Sequence, residues 1–136
     1  MNSASSMRQT IQYPAQTVQR ADCAMRCSPF YLKLFELMMT ESISLKEIAG
    51  LRGVNQLFTR RSLSEIGAEN ELLWLIQVGL LRREVDGQGL TDSFRVTPLG
   101  RQLVHRWRGL EHTKDYRPTW IDRLYNAWQR WFRLPL

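Results

Sequence analysis

Apolar and polar positions follow a helical period at five places along this chain and alternate with a period of two at one. The first helical stretch is predicted to open at Ser28, with Ser as N-cap and Pro29 at the first helical position, where a missing N–H costs nothing. Its FYLKLFELMM run is apolar nearly all round, with Phe30, Leu34, Leu37 and Met38 as the inner stripe and Lys33, Glu36 and Glu41 toward water. A second helix is predicted at Ser44, because Ser44 and Glu47 have capping-box spacing and Ile43 and Ile48 sit at the staple positions. Gly50 and Gly53 are expected to end it after about two turns. Residues 52–61, RGVNQLFTRR, fit either a turn with one helical turn or a longer loop. A third helix is predicted from near Ser62 or Ser64, through Ile66, Leu72, Leu73, Leu75 and Ile76, to Gly79.

After Gly79 the period becomes two, and LLRREV reads as a strand with Leu81, Arg83 and Val85 on one side. DGQG tolerates the backbone of a tight connection, and FRVT returns with Phe94 and Val96 inward and Arg95 outward. Thr97 and Pro98 repeat the cap-plus-proline start for a helix whose Leu99, Leu103, Val104 and Trp107 share a face. The last helical stretch, TWIDRLYNAWQRWFRLPL, opens on Thr119 and Asp122. Trp120, Ile121, Leu124, Tyr125, Trp128, Trp131 and Phe132 fall on one side of it, and Arg123, Asn126, Gln129, Arg130 and Arg133 on the other.

These elements predict a mainly α chain with a small β-hairpin, of the α+β class, divided into an N-terminal arm over 1–27 with partial helical character, a domain over 28–109, and a linker with an amphipathic helix over 110–136. A length of 136 residues with 43% hydrophobic content supplies one core and excludes a second full domain. No apolar run approaches the roughly 18 residues of a membrane span, and MNSASSMRQT does not resemble a signal peptide. The expected location is therefore the cytoplasm, with peripheral attachment at the inner face of a membrane as its variant.

Charge changes the picture more than composition does. Sixteen of nineteen basic residues are arginine, a planar fork suited to phosphate, carboxylate and aromatic faces. Residues 100–136 carry a net +5, whereas residues 62–81 hold Glu65, Glu69 and Glu71 with no Lys or Arg. An acidic partner is the natural inference.

The stretch LLWLIQVGLLRREVDGQGLTDSFRVTPLGRQL resembles the winged-helix superfamily of regulators, particularly the small bacterial MarR, ArsR and PadR-like types. It is similar to their pattern of a helix ending in G-L-[LIV]-x-R, a hairpin wing, and then [LV]-T-x-x-G closing onto another helix. The likeness covers about residues 28–108 and implies a winged helix-turn-helix with an extra C-terminal amphipathic helix. It further implies that the helix before the wing enters a DNA major groove while wing arginines touch the minor groove or backbone. Carried over residue by residue, the DNA-binding set is Arg60, Arg61, Ser62, Ser64 and Asn70 around that helix, with Arg82, Arg83, Gln88 and Arg95 on the wing. Two departures stand against it. Three glutamates oppose docking on a polyanion unless they face away, and the extra segment RGVNQLFTRR lengthens the two-helix unit and reshapes its DNA face.

On this reading the chain is a DNA-binding transcriptional regulator acting as a homodimer on duplex DNA. The alternative is a non-enzymatic winged-helix adaptor that binds a protein partner or an anionic membrane surface through its Trp-rich helix. Three uses of that aromatic face stay open: packing on the same chain or across a two-fold axis, docking a protein, and lying among lipid headgroups. Catalysis has no foothold, since there is no glycine-rich phosphate loop, no H-E-x-x-H and no G-x-S-x-G. Cys23 and Cys27, with His105 and His112, do not have a common zinc spacing, so neither metal nor cofactor is expected.

Overall fold

Residues 12–132 are described in a computed structural model of the chain. The weakly periodic stretch before Ser28 forms α1 (Ala15–Cys27). Ala21, Ala24 and Met25 on it are fully buried, so this half of the expected arm is part of the core. Ser28 closes α1 instead of opening the next helix: its hydroxyl donates to the Met25 carbonyl at 2.8 Å. Phe30 then bridges to Thr59, and α2 (Leu32–Leu37) starts later than the Ser-Pro signal suggests. Phe30, Leu34 and Met38 are buried as the stripe requires, with Leu37 at its edge.

β1 (Ile43–Ser44) leads directly into α3 (Leu45–Ile48), and the Ser44–Glu47 capping box forms in both directions at 3.3 Å. The glycines do not end this helix. Ala49 breaks it with extended backbone, and Gly50, at a φ of 67° that favours glycine, opens α4 (Gly50–Asn55). The ambiguous segment is thus helical to Asn55 and then turns.

Ser64, not Ser62, caps α5 (Glu65–Gln77), accepting from the Gly67 N–H at 3.0 Å. Ala68, Leu72, Trp74 and Leu75 are buried, but Ile66 and Leu73, expected inside, are 73% and 42% exposed. α1, α3 and the hairpin cover one side of α5, leaving the other to solvent.

β2 (Leu81–Asp86) and β3 (Gly89–Val96) form the predicted antiparallel hairpin, with Phe94 and Val96 buried. Val85 does not join Leu81 inside, because the register shifts between Arg83 and Val85 and turns its side chain out. β1 adds a third strand through Ile43 opposite Phe94, giving the order β1-β3-β2.

α6 (Pro98–Trp107) is capped by Thr97, whose hydroxyl accepts from the Gly100 N–H at 3.1 Å and donates to the Gly79 carbonyl. Gly100 is required by space: a Cβ there would collide with the Leu80 carbonyl oxygen and lie 2.7 Å from Val96 Cγ1. The Thr97–Gly100 signal therefore locks the start of α6 onto the end of α5. Leu99, Leu103, Val104 and Trp107 are buried, as expected. α7 (Trp120–Trp131) opens on the Thr119–Asp122 capping box and packs along α1. The architecture is mixed α/β, helices around a small three-stranded antiparallel sheet.

Candidate functional site

Arginine on a surface is available to a partner only if its own fold leaves it unpaired, and three of the five arginines in the expected nucleic-acid set are paired. Arg83 reaches Glu69 at 3.4 Å and Asp92 at 3.1 Å, and Arg95 lies 3.6 Å from Glu84. Arg60 stacks over Tyr31, 4.4 Å from its ring centroid, and lies 3.5 Å from Glu111. Arg82 is exposed on the hairpin beside Arg83. Ser64 is committed to its cap, while Arg61, Ser62, Asn70 and Gln88 are exposed.

The glutamates of α5 are answered locally, Glu69 by Arg83 and Glu71 by Arg130 at 3.1 Å. Glu65 is exposed in the first turn, where the helix dipole favours a carboxylate. The outward surface of α5 consequently presents Glu65, Ile66, Asn70, Leu73 and Gln77, with no basic side chain.

α7 is oriented opposite to the usual amphipathic rule. Its polar side meets the body, as Asp122, Asn126 and Arg130, spaced one turn apart, face inward together. Asn126 Oδ1 accepts from Trp74 Nε1 at 3.0 Å, Arg130 pairs with Glu71, and Asp122 accepts from Arg26 at 2.8 Å. The Cys23 thiol also donates to the Asp122 carbonyl at 3.0 Å. That hydrogen bond from Arg26 holds the Asp122 carboxyl below its usual range.

The aromatic side is left outward. Trp120, Trp128 and Trp131 are 71%, 60% and 75% exposed, and Ile121, Leu124 and Phe132 are each about 60% exposed. Tyr125 is half-buried at the edge. Among the described residues, no part of the chain covers the other six of these side chains. Six large side chains, each more than half exposed, make a continuous apolar strip of the kind that marks an interaction surface. Arg133 lies outside the described residues.

Next to this helix, at the end of α1, lies a cavity of about 520 Å3 whose walls include Arg26, Arg60, Arg61, Arg117, Arg123 and Tyr116. Arg26 is answered by Asp22 and Asp122, and Arg60 by Glu111. Arg61, Arg117 and Arg123 have no ion-pair partner among the described residues. Tyr116 is 1% exposed, and its hydroxyl has no hydrogen-bond partner among them. Burial, reinforced by Glu111, pushes this phenol above its ordinary range, so it stays a proton donor.

Cys27 also lines the cavity, 3.9 Å from Cys23. The hydrogen bond with Cys23 lowers the Cys27 thiol and raises that of Cys23, with the charge of Arg123 adding to the lowering. His105 and His112 are exposed and do not line this cavity. Of the residues on this wall, Arg60, Arg61 and Arg123 stand out in the sequence, whereas Arg26, Arg117 and Tyr116 do not. Tyr116 and Arg117 sit in the turn before α7 and Arg26 in the last turn of α1, with no local motif to mark them.

A family model described as Npun_F0494-like matches residues 11–130. No curated protein and no solved structure matches the chain.

Proposed function

The chain belongs to the Npun_F0494-like family, whose description names no activity, and we propose that it is a non-enzymatic winged-helix adaptor that attaches peripherally to an anionic membrane surface through α7. The order helix, short strand, helix pair, helix, hairpin, with β1 added beside β3, supports the winged-helix reading. The observation that carries the attachment is the outward aromatic face of α7, held there by polar contacts on its other side. Trp, Tyr and Phe beside arginine is the composition of a helix lying in the headgroup region. No helix among the described residues is long and apolar enough to cross a membrane, so the attachment would be interfacial.

Charge favours lipid over the other occupants. Arg123 is exposed on the flank of the aromatic strip, and the arginine-lined cavity adjoins it. A second copy docked by the same face would bring these positive groups toward their own images. Duplex DNA would meet an outward α5 surface without a basic side chain, which is why the regulator reading ranks second. At about 1 kcal/mol for each of the six exposed side chains on partial immersion, insertion yields roughly 6 kcal/mol, a partition in the tens of micromolar before electrostatic attraction is added.

Flotation of the full chain with phosphatidylcholine vesicles, with and without phosphatidylglycerol, tests this. The wild type is expected to float more completely with the anionic vesicles than with the neutral ones, and a Trp120→Ser, Trp128→Ser, Trp131→Ser variant to stay in the lower fraction. Those positions are exposed, so the substitutions leave the core alone. Absence of flotation overturns the reading. Salt-sensitive binding to duplex DNA without vesicle binding would put the regulator in its place, and a dimer lost in the triple variant would put self-association there.

A further inference from the structure

We propose that the cavity at the end of α1 binds a phosphate monoester, either a soluble one or the exposed headgroup of a lipid. This goes beyond the membrane reading and does not rest on it, since the cavity is distinct from the aromatic strip. Two independent observations carry it.

The first is uncompensated charge. Five guanidiniums line the space, three carboxylates answer two of them, and Arg61, Arg117 and Arg123 are left without an ion pair among the described residues. A fold gains nothing by gathering like charges that its own acids do not neutralise. An anion supplies what is missing.

The second is the buried phenol. Tyr116 lines the same cavity, is 1% exposed, and its hydroxyl has no acceptor among the described residues. Buried donors are almost always paired, so an orphan hydroxyl on a wall residue, shielded from water as it stands, is the donor that a bound acceptor would draw out. Burial also keeps this hydroxyl protonated, as donation requires.

Together these groups select among anions. Three unpaired guanidiniums and a phenol offer more donors than the two oxygens of a carboxylate accept. A phosphate monoester brings three terminal oxygens and a charge of about −1.5 to −2, matched by the arginine forks. A volume of about 520 Å3 leaves room for the alcohol part of the ester beyond the phosphoryl group. The rest of the wall, Cys27, Ser28, Pro29 and Pro118, carries no charge and leaves the alcohol part of the ester unrestricted.

The test is calorimetric titration of the full chain with glycerol 3-phosphate at low ionic strength, with acetate as the comparison anion. Saturable binding is expected, at least about tenfold tighter than acetate, as charge-assisted hydrogen bonds to several arginines imply. Arg61→Ala with Arg117→Ala, both exposed and unpaired, should weaken it by about tenfold or more without affecting the fold. Tyr116→Phe, which retains the ring, should weaken it several-fold. A parallel arm compares vesicles carrying phosphatidic acid, a monoester, with vesicles carrying phosphatidylglycerol, a diester. A preference for phosphatidic acid that the double variant loses assigns the site to a lipid headgroup; glycerol 3-phosphate binding without that preference assigns it to a soluble ester. Lack of saturable binding to either source, equal affinity for acetate, or binding unchanged in the double variant overturns the proposal. The triple Trp variant separates it from the membrane reading, since it should lose vesicles yet keep glycerol 3-phosphate.

Discussion

Replacing Tyr116 with Phe removes one oxygen and nothing else, and the structure predicts that the ligand-free protein becomes more stable. The ring is 1% exposed and meets Trp107 edge-on at a centroid distance of 5.4 Å, packing that Phe keeps. The hydroxyl has no partner among the described residues. A buried polar group left unpaired costs about 1–3 kcal/mol, and local relaxation at the cavity wall places the gain near the lower end, about 1 kcal/mol. For a chain of this size that corresponds to roughly 3–4 °C in Tm. Thermal melts followed by circular dichroism, with urea unfolding alongside, should be run in phosphate-free buffer. Glycerol 3-phosphate at about 100 times its wild-type Kd adds roughly 2.7 kcal/mol to the wild type and less to the variant, so the gap between the two should close. Loss of about 1 kcal/mol or more in the ligand-free variant would refute the reasoning, because the hydroxyl would then be donating to a native acceptor.

Three further outcomes follow from the same contacts. Arg26→Ala leaves the buried Asp22 carboxylate with the Trp107 indole N–H but no cation, and should cost about 3 kcal/mol in urea unfolding, partly recovered by adding Asp22→Asn. Asp122 has its folded-state pKa depressed, chiefly by the hydrogen bond from Arg26, so its stabilisation is complete above the unfolded value near 4 and is lost as pH falls through the folded value. Urea midpoints measured from about pH 6 to pH 3 should fall in the wild type and fall less in Arg26→Ala. Gly100→Ala should cost upwards of about 2 kcal/mol, since its Cβ meets the Leu80 carbonyl, whereas Gly87→Ala in open space should stay within about 0.5 kcal/mol.

Legibility in the sequence followed the range of the interactions. The boxes at Ser44–Glu47 and Thr119–Asp122 and the Thr97–Pro98 start are closed within three residues, so their spacing alone located them. Ser28 misled because a serine hydroxyl serves either end of a helix. Here it closes α1 by donating to Met25, and Phe30 is drawn into a bridge with Thr59 that no local pattern encodes. The amphipathic character of α7 was plain, but which side meets the body was not. Amphipathicity reports a difference between two faces, and the direction depends on Trp74, Glu71 and Arg26, more than fifty residues away. The cavity was the least legible part. Its arginines come from positions 26, 60, 61, 117 and 123, and only the fold of α1 against the turn before α7 collects them.

The orientation of α7 at a lipid surface is open to one measurement. Of the five tryptophans, Trp74 and Trp107 are 3% and 9% exposed, whereas Trp120, Trp128 and Trp131 are each 60% exposed or more. Fluorescence of the full chain should be recorded with anionic vesicles containing lipids brominated along the acyl chain, which quench only rings that enter the bilayer interface. The outward helix predicts strong quenching with a blue shift, leaving a residual emission that matches the triple Trp variant. Emission unchanged by the brominated vesicles, at protein and lipid concentrations well above the tens of micromolar expected for partition, would contradict it.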